Sequence, residues 1–195
     1  PEECAQNHHV KVRAIKIVPH KIITKEEIQN LRFVRKGEKI LVVPDVSKDM
    51  IKIAVVERHH KTGNIGVGFV KGMGLKEGAI GSTIAHDNHN MIICGVDSKS
   101  MKQVANILVD VGGGMAVYRK GKVFYHPLPI GGLMSDEPVK DTVKTHQKVL
   151  KIARKNDTHS RDVFLKMSFL ALSVIPRLRI TDMGLYDVNR NKIVP

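Results

Sequence analysis

A run of glycines held between two apolar stretches constrains this chain more than any other feature. Ile53 to Val56 is apolar, charged residues follow, and five glycines then fall between Gly63 and Gly74. A second apolar run, Ala79 to Ala85, ends on five consecutive polar side chains, His86-Asp87-Asn88-His89-Asn90, before Met91 to Val96 resumes the apolar pattern. Short apolar runs bounded by glycine read as strands, and a polar block between two of them reads as a loop on a rigid scaffold, where binding groups concentrate. Residues 57–95 are therefore the stretch around which the rest is read.

The flanking segments supply the scaffold. Val10 to Val18 alternates apolar with basic residues, the period of a half-buried strand, and ends at Pro19. Thr24 at N-cap and Glu27 at N3 match a capping box and predict a short helix before Gly37. Ile40 to Val43 reads as a buried strand stopped by Pro44, Ser47 to Met50 as a turn, and Ile51 to Arg58 as another strand. Ser98 is a suitable N-cap for a helix to about Val111, with Met101, Val104, Ala105 and Leu108 on one face and Gly112-Gly113-Gly114 at its end. Met115–Tyr118 and Val123–Tyr125 read as a hairpin around Arg119-Lys120-Gly121-Lys122. A basic helix follows over Val139 to Lys155, with Val143, Val149, Leu150 and Ala153 as its partial apolar face. Val163 to Ile175 is apolar and reads equally as helix or loop, and Ile180 to Gly184 closes as a turn. This order predicts an α/β or α+β domain spanning residues 1–195, a mixed and largely antiparallel sheet packed against helices, with residues 1–9 as a flexible start.

Composition excludes several classes. The chain has 195 residues, ample for one core and short for two. No apolar run approaches the ~20 residues that span a bilayer, and the amino terminus has no signal-peptide pattern. Cys4 and Cys94 lack metal or redox spacing and read as free thiols in a reducing cytoplasm. The net charge of +13 attracts polyanions, but the cations are scattered, Trp is absent and aromatics for base stacking are few. Nucleic acid is not the expected partner. A solvated basic face, or one covered by an acidic partner domain, accounts better for the charge.

The polar block carries the candidate chemistry. His86, Asp87, His89 and Asn90 combine two imidazoles, a carboxylate and a carboxamide, which bind a metal or read a purine edge where a loop lets them converge. The alternative is a hairpin turn whose Asp and Asn side chains cap their own backbone. Lys71, inside the glycine run, is a cation that could meet an anionic or carbonyl group, with a solvated lysine as the default. The glycine run is neither a Walker loop nor a dinucleotide fingerprint and reads as turns and close chain packing. His8-His9 and His59-His60 are adjacent residues that point apart in extended chain and read as no metal clip. A GxSxG elbow, an HExxH helix and the HxE with PCxxC pattern of zinc deaminases are all absent.

The segment RHHKTGNIGVGFVKGMGLKEGAIGSTIAHDNHN closely resembles the carboxy-terminal domain of the adenine deaminases. GGGMAVYRKGKV, PLPIGGLMSD, MSFLALSVIP and LRITDMGLYDV resemble the same domain in the same order, so the resemblance covers nearly the whole chain. Asn88 stands where the family usually has Ser, and Ser173 where Pro is usual. The family belongs to the amidohydrolase superfamily. The resemblance implies conversion of adenine to hypoxanthine and ammonia at a divalent centre, manganese or iron, held in a TIM barrel that begins with an HxH motif. No HxH occurs in this sequence, and such a barrel needs about 250 residues. The chain thus resembles the carboxy-terminal domain alone, with no metal expected in it. The missing barrel is then its partner, a homo-oligomer stays open, and the His86–Asn90 loop, with Lys71 near it, helps enclose the adenine. A non-catalytic ligand-binding or scaffold module derived from that domain is the alternative.

Overall fold

The computed structural model describes residues 8–155 and 162–195. Residues 1–7, with Cys4 and most of the flexible start expected over 1–9, lie outside them. His9 already belongs to the first strand, and the His8 ring stacks on Phe33.

Nine strands form one open sheet: β1 (His9–Ile17), β2 (Thr24–Lys36), β3 (Lys39–Val42), β4 (Met50–Val56), β5 (Ile65–Lys71), β6 (Ala79–Ser82), β7 (Met91–Gly95), β8 (Gly114–Arg119) and β9 (Lys122–Pro127). Their order is β3-β2-β1-β5-β4-β7-β6-β8-β9, and every neighbouring pair is antiparallel except β1 with β5. The helices are α1 (Ser98–Asp110), α2 (Val139–Arg154) and α3 (Val163–Ser168). A second, three-stranded sheet, β10 (Leu178–Thr181), β11 (Gly184–Asp187) and β12 (Lys192–Val194), completes the chain. The fold is α+β, with a mixed, mostly antiparallel sheet and no closed barrel among the described residues.

Strand alternation divides the core into two layers. Ile51, Ile53 and Val55 of β4 share one face with Val70, Ile80 and Ile92, packed under α2, α3 and the small sheet. On the other face Ala79, Met91, Ile93 and Ala116 pack against Val104 and Leu108 of α1. The glycine run contains β5, a strand missed by reading it as turns alone. A Cβ at Gly66 would lie 1.9 Å from the Thr181 carbonyl oxygen, so only glycine lets the β10–β11 turn press onto β5.

The largest departure from expectation is Thr24–Glu27, which opens β2 instead of a helix. Thr24 caps no helix: its Oγ1 donates to Leu178 O (2.8 Å) and accepts from Arg177 N (3.1 Å) and Leu178 N (3.0 Å), far along the chain. Glu26 pairs with Arg13 and Arg177, and Glu27 with Lys16 and Lys71, across strands rather than along a helix. Three smaller corrections follow. Ile40 and Leu41 of β3 are exposed because β3 is an edge strand, not a buried one. The N-cap of α1 is Asp97, whose carboxylate accepts from Ser100 N, and Ser98 is the first helical residue. Val143 of α2 is exposed, so Val149 and Ala153 carry the buried face. The ambiguous 163–175 segment resolves into α3 and a 3-10 turn over Phe169–Ala171.

One buried cation joins these pieces. The Arg179 guanidinium, without solvent exposure, donates to four carbonyl oxygens: Ile175 (2.6 Å), Phe169 (2.9 Å), Ile22 (2.8 Å) and Pro176 (2.8 Å). Burial lowers its pKa to about 10, which leaves it charged at neutral pH. Arg179→Met is expected to strand these acceptors and cost about 3 kcal/mol or more in urea unfolding, with Arg179→Lys recovering part of the loss.

The ion pairs on β2 predict an acid dependence. Hydrogen bonds from Lys16 and then Lys71 hold the Glu27 carboxyl at about 2, against burial, which opposes the shift. A depressed carboxyl stabilises the fold above its unfolded pKa and loses that contribution as pH falls through the folded value. Glu27→Gln should therefore cost about 1–2 kcal/mol at pH 7. Its deficit against the parent should shrink between pH 4.5 and about 2, as read by melting temperature across pH.

Candidate functional site

The polar block 86–90 lies in the connection between β6 and β7, which pair antiparallel with Ser82 opposite Ile92. At the same end of the sheet Val56 lies opposite both Met91 and Ile65. Lys71 lies at the other end of β5, opposite Met50, about six strand residues or roughly 20 Å away. The structure does not bring Lys71 to the loop. Its ammonium is held by Glu27 at 2.6 Å.

Four segments distant in sequence meet at the loop. The His86 ring stacks flat on Phe169, with centroids 5.2 Å apart and planes 5° from parallel. Its Nδ1 lies 3.2 Å from Ser168 Oγ, and that hydroxyl already donates to Leu165 O (2.8 Å). The serine therefore offers a lone pair, His86 carries its proton on Nδ1, and Nε2 is left as an acceptor. His59 Nε2 donates to Asn88 O (2.7 Å), which likewise leaves its Nδ1 as an acceptor. His89 is held through its backbone: its N–H donates to Ala85 O (2.7 Å) and its carbonyl accepts from Arg58 Nε (2.8 Å). The Arg58 guanidinium continues to Gly131 O, and a Cβ at Gly132 would lie 2.6 Å from Nη2, so glycine leaves room for it. Thr83 fixes the same glycine loop by donating to Gly132 O (2.6 Å) while accepting from Gly114 N (2.7 Å).

Electrostatics favour the neutral form of His89. Burial first, then the neighbouring His86 and Arg58, lower the His89 pKa below the ordinary histidine range. Its Nδ1 is buried and has no hydrogen-bond partner among the described residues. The two rings stand 6.2 Å apart, centroid to centroid. The Glu57 carboxyl accepts from the loop that follows it. Burial raises its pKa, but backbone donors from His60, Thr62 and His59 outweigh this and bring it to about 2.

The candidates thus divide. His86, Asp87 and His89 share the loop, with Asp87 exposed and the imidazoles half-buried. Asn90 is buried, and its Oδ1 accepts from Arg58 N (3.4 Å), so it ties the loop inward. Asn88 Oδ1 accepts from Asn90 N (3.0 Å), the self-capping turn that the alternative reading anticipated. Sequence reasoning missed Arg58, Ser168 and Phe169, and it passed over His59. Only the short apolar-to-charged switch at Glu57–Arg58 marked any of them. A free imidazole nitrogen on a stacked, fixed ring can accept a hydrogen bond from a flat heterocycle. The donor set does not suit a resident metal: among the described residues no group of three or more His, Cys, Asp or Glu side chains converges.

Residues 21–192 match the family described as the adenine deaminase C-terminal domain. The adenine deaminase of Brucella abortus is 46% identical over 191 residues, which is 97% of this chain and 32% of that protein. Adenine deaminases of Desulfatibacillum aliphaticivorans and Methanococcoides burtonii are 44% and 43% identical, covering 92% and 94% of this chain and 31% of each relative. The chain spans about a third of the length of the relatives it matches. With this coverage and this identity, the chain belongs to the adenine deaminase C-terminal domain family.

Proposed function

We propose that this domain works within an adenine deaminase, a purine-salvage hydrolase that converts adenine to hypoxanthine and ammonia, and that its His86–Asn90 loop helps enclose the purine. The family match over residues 21–192 carries the reading. The loop geometry supports the role: His86 Nε2 is left as an acceptor by the Ser168 contact, and Phe169 and Arg58 fix the loop from two sides. Closing a loop over the base excludes water and strengthens every polar contact to it. The divalent metal, manganese or iron, would activate the attacking water in the remainder of the polypeptide, since the residues described here supply no ligand set for it. The domain's own contribution is to bind and orient. Among the described residues no helix is long and apolar enough to cross a membrane, and Cys94 is a buried free thiol. A reducing cytoplasm suits both.

Two experiments test the reading. The purified 195-residue chain, with or without added manganese, is expected to release no ammonia from adenine; metal-dependent turnover would place a complete centre in this domain. In the full-length protein, His86→Ala and His89→Ala should each lower kcat/KM about ten- to a hundredfold, with melting temperature and bound metal unchanged. Normal turnover with a lowered melting temperature would make the loop structural, and a fall in bound metal would make the histidines ligands.

A further inference from the structure

The parallel contact between β1 and β5 is short. Only Ala14–Lys16 pair with Phe69–Lys71, although both strands continue well beyond that ladder. β4 covers β5 along its whole length on one side, and β2 does the same for β1. Past the ladder, Val10–Arg13 and Ile65–Gly68 therefore turn edges toward each other with no ladder between them among the described residues. A cavity of about 1000 Å³ opens there, lined by Val12, Val67 and Phe69, by Met101 of α1 and by Leu41 of β3. Ile65 and Val67 are 57% and 68% exposed, unusual for neighbouring large apolar side chains on an internal strand. The charged side chains in the lining are Lys11, Arg13, Lys52 and Lys102; Pro195 also lines it, and its main-chain oxygen accepts from Arg13 Nε (2.9 Å). Glu26 pairs with Arg13, and Lys52 donates to Ser98 Oγ, whereas Lys11 and Lys102 are exposed.

We propose that this cleft is a strand-insertion site. It takes one extended segment of a partner polypeptide, apolar at alternate residues and acidic at its ends, which pairs with the open edges of β1 and β5. Unpaired strand edges are templates for a further strand, and backbone pairing supplies affinity while alternate side chains pack on the apolar lining. The cationic rim selects the acidic ends and disfavours a second copy of a chain with net charge +13. Relatives carry about two thirds of their length outside this domain, so polypeptide able to supply such a strand exists in them. The site lies on the sheet rather than at the His86–Asn90 loop, and its occupancy does not depend on the loop's role.

The probe is a synthetic eight-residue peptide of alternating Val and Thr with Glu at both ends, titrated against the 195-residue chain by fluorescence anisotropy. Three comparisons accompany it: the same peptide N-methylated at alternate residues, one with Lys ends, and the parent peptide against Val67→Glu and Lys11→Glu chains. The parent peptide should bind saturably. N-methylation removes about three backbone hydrogen bonds and should weaken binding at least tenfold, and the Lys-ended peptide should bind several-fold more weakly. Val67→Glu, at an exposed position, should abolish binding while leaving the melting temperature unchanged. Equal binding of the N-methylated peptide would show a side-chain groove without strand pairing and overturn the proposal. So would absence of binding by any peptide. Self-association of the chain without peptide, abolished by Val67→Glu, would make the occupant a second copy and overturn it equally.

Discussion

A guanidinium sealed from water with four carbonyl oxygens around it sets the geometry of the rest. Arg179 reaches the β1–β2 connection at Ile22, the segment before β10 at Ile175 and Pro176, and the 3-10 turn at Phe169. A buried charge is tolerable only when its donors are met, so these segments are fixed together or not at all. Phe169 is the residue whose ring lies under His86. The placement of the candidate loop is thus inherited from a cation buried in a different part of the core.

Arg179 and Arg58 also bear on the net charge of +13. Both guanidinium groups donate to backbone carbonyls, which carry no formal charge to cancel theirs. Part of the excess positive charge therefore fastens loops to backbone carbonyls. Elsewhere the cations converge on few carboxylates: Lys16 and Lys71 share Glu27, and Arg13 and Arg177 share Glu26. Two lysines on one carboxylate leave a net positive patch even where each ion is paired.

Features with local causes were legible in the sequence. The β8–β9 hairpin follows from Lys120-Gly121, both of which adopt positive φ, as a tight two-residue turn requires. α1 follows from its apolar spacing and from the glycines after it. Thr24–Glu27 carries equally local helix signals, yet partners from Leu178, Arg177 and Lys71 claim those side chains, and tertiary contacts outweigh a capping preference of about 1 kcal/mol. The candidate loop was visible as a polar block between apolar runs. Its supports were not, because Ser168 and Phe169 lie some eighty residues further along and Arg58 reaches the loop only after β4 has been placed beside β7. Lys71 looked close because it is near in sequence, but strand direction carries it to the far end of the sheet.

The short parallel ladder between β1 and β5 has a mechanical meaning. It joins a local meander, β1 to β3, to the strands that follow, through three residue pairs. All other junctions in the large sheet are antiparallel, and the one between β4 and β5 runs for seven pairs. Along this seam the large sheet has its fewest paired residues. Beyond those three pairs the meander is held by the Glu27–Lys71 and Glu26–Arg177 ion pairs, by the Thr24 bonds to Leu178 and by Arg179 gripping Ile22. These bonds gather at the ladder's own end of the meander, where Ile17 lies opposite Thr24, and leave Val10–Arg13 without a strand partner on that side among the described residues. A strand lodged in the open part of the seam would make the sheet continuous and turn a hinge line into a rigid plate.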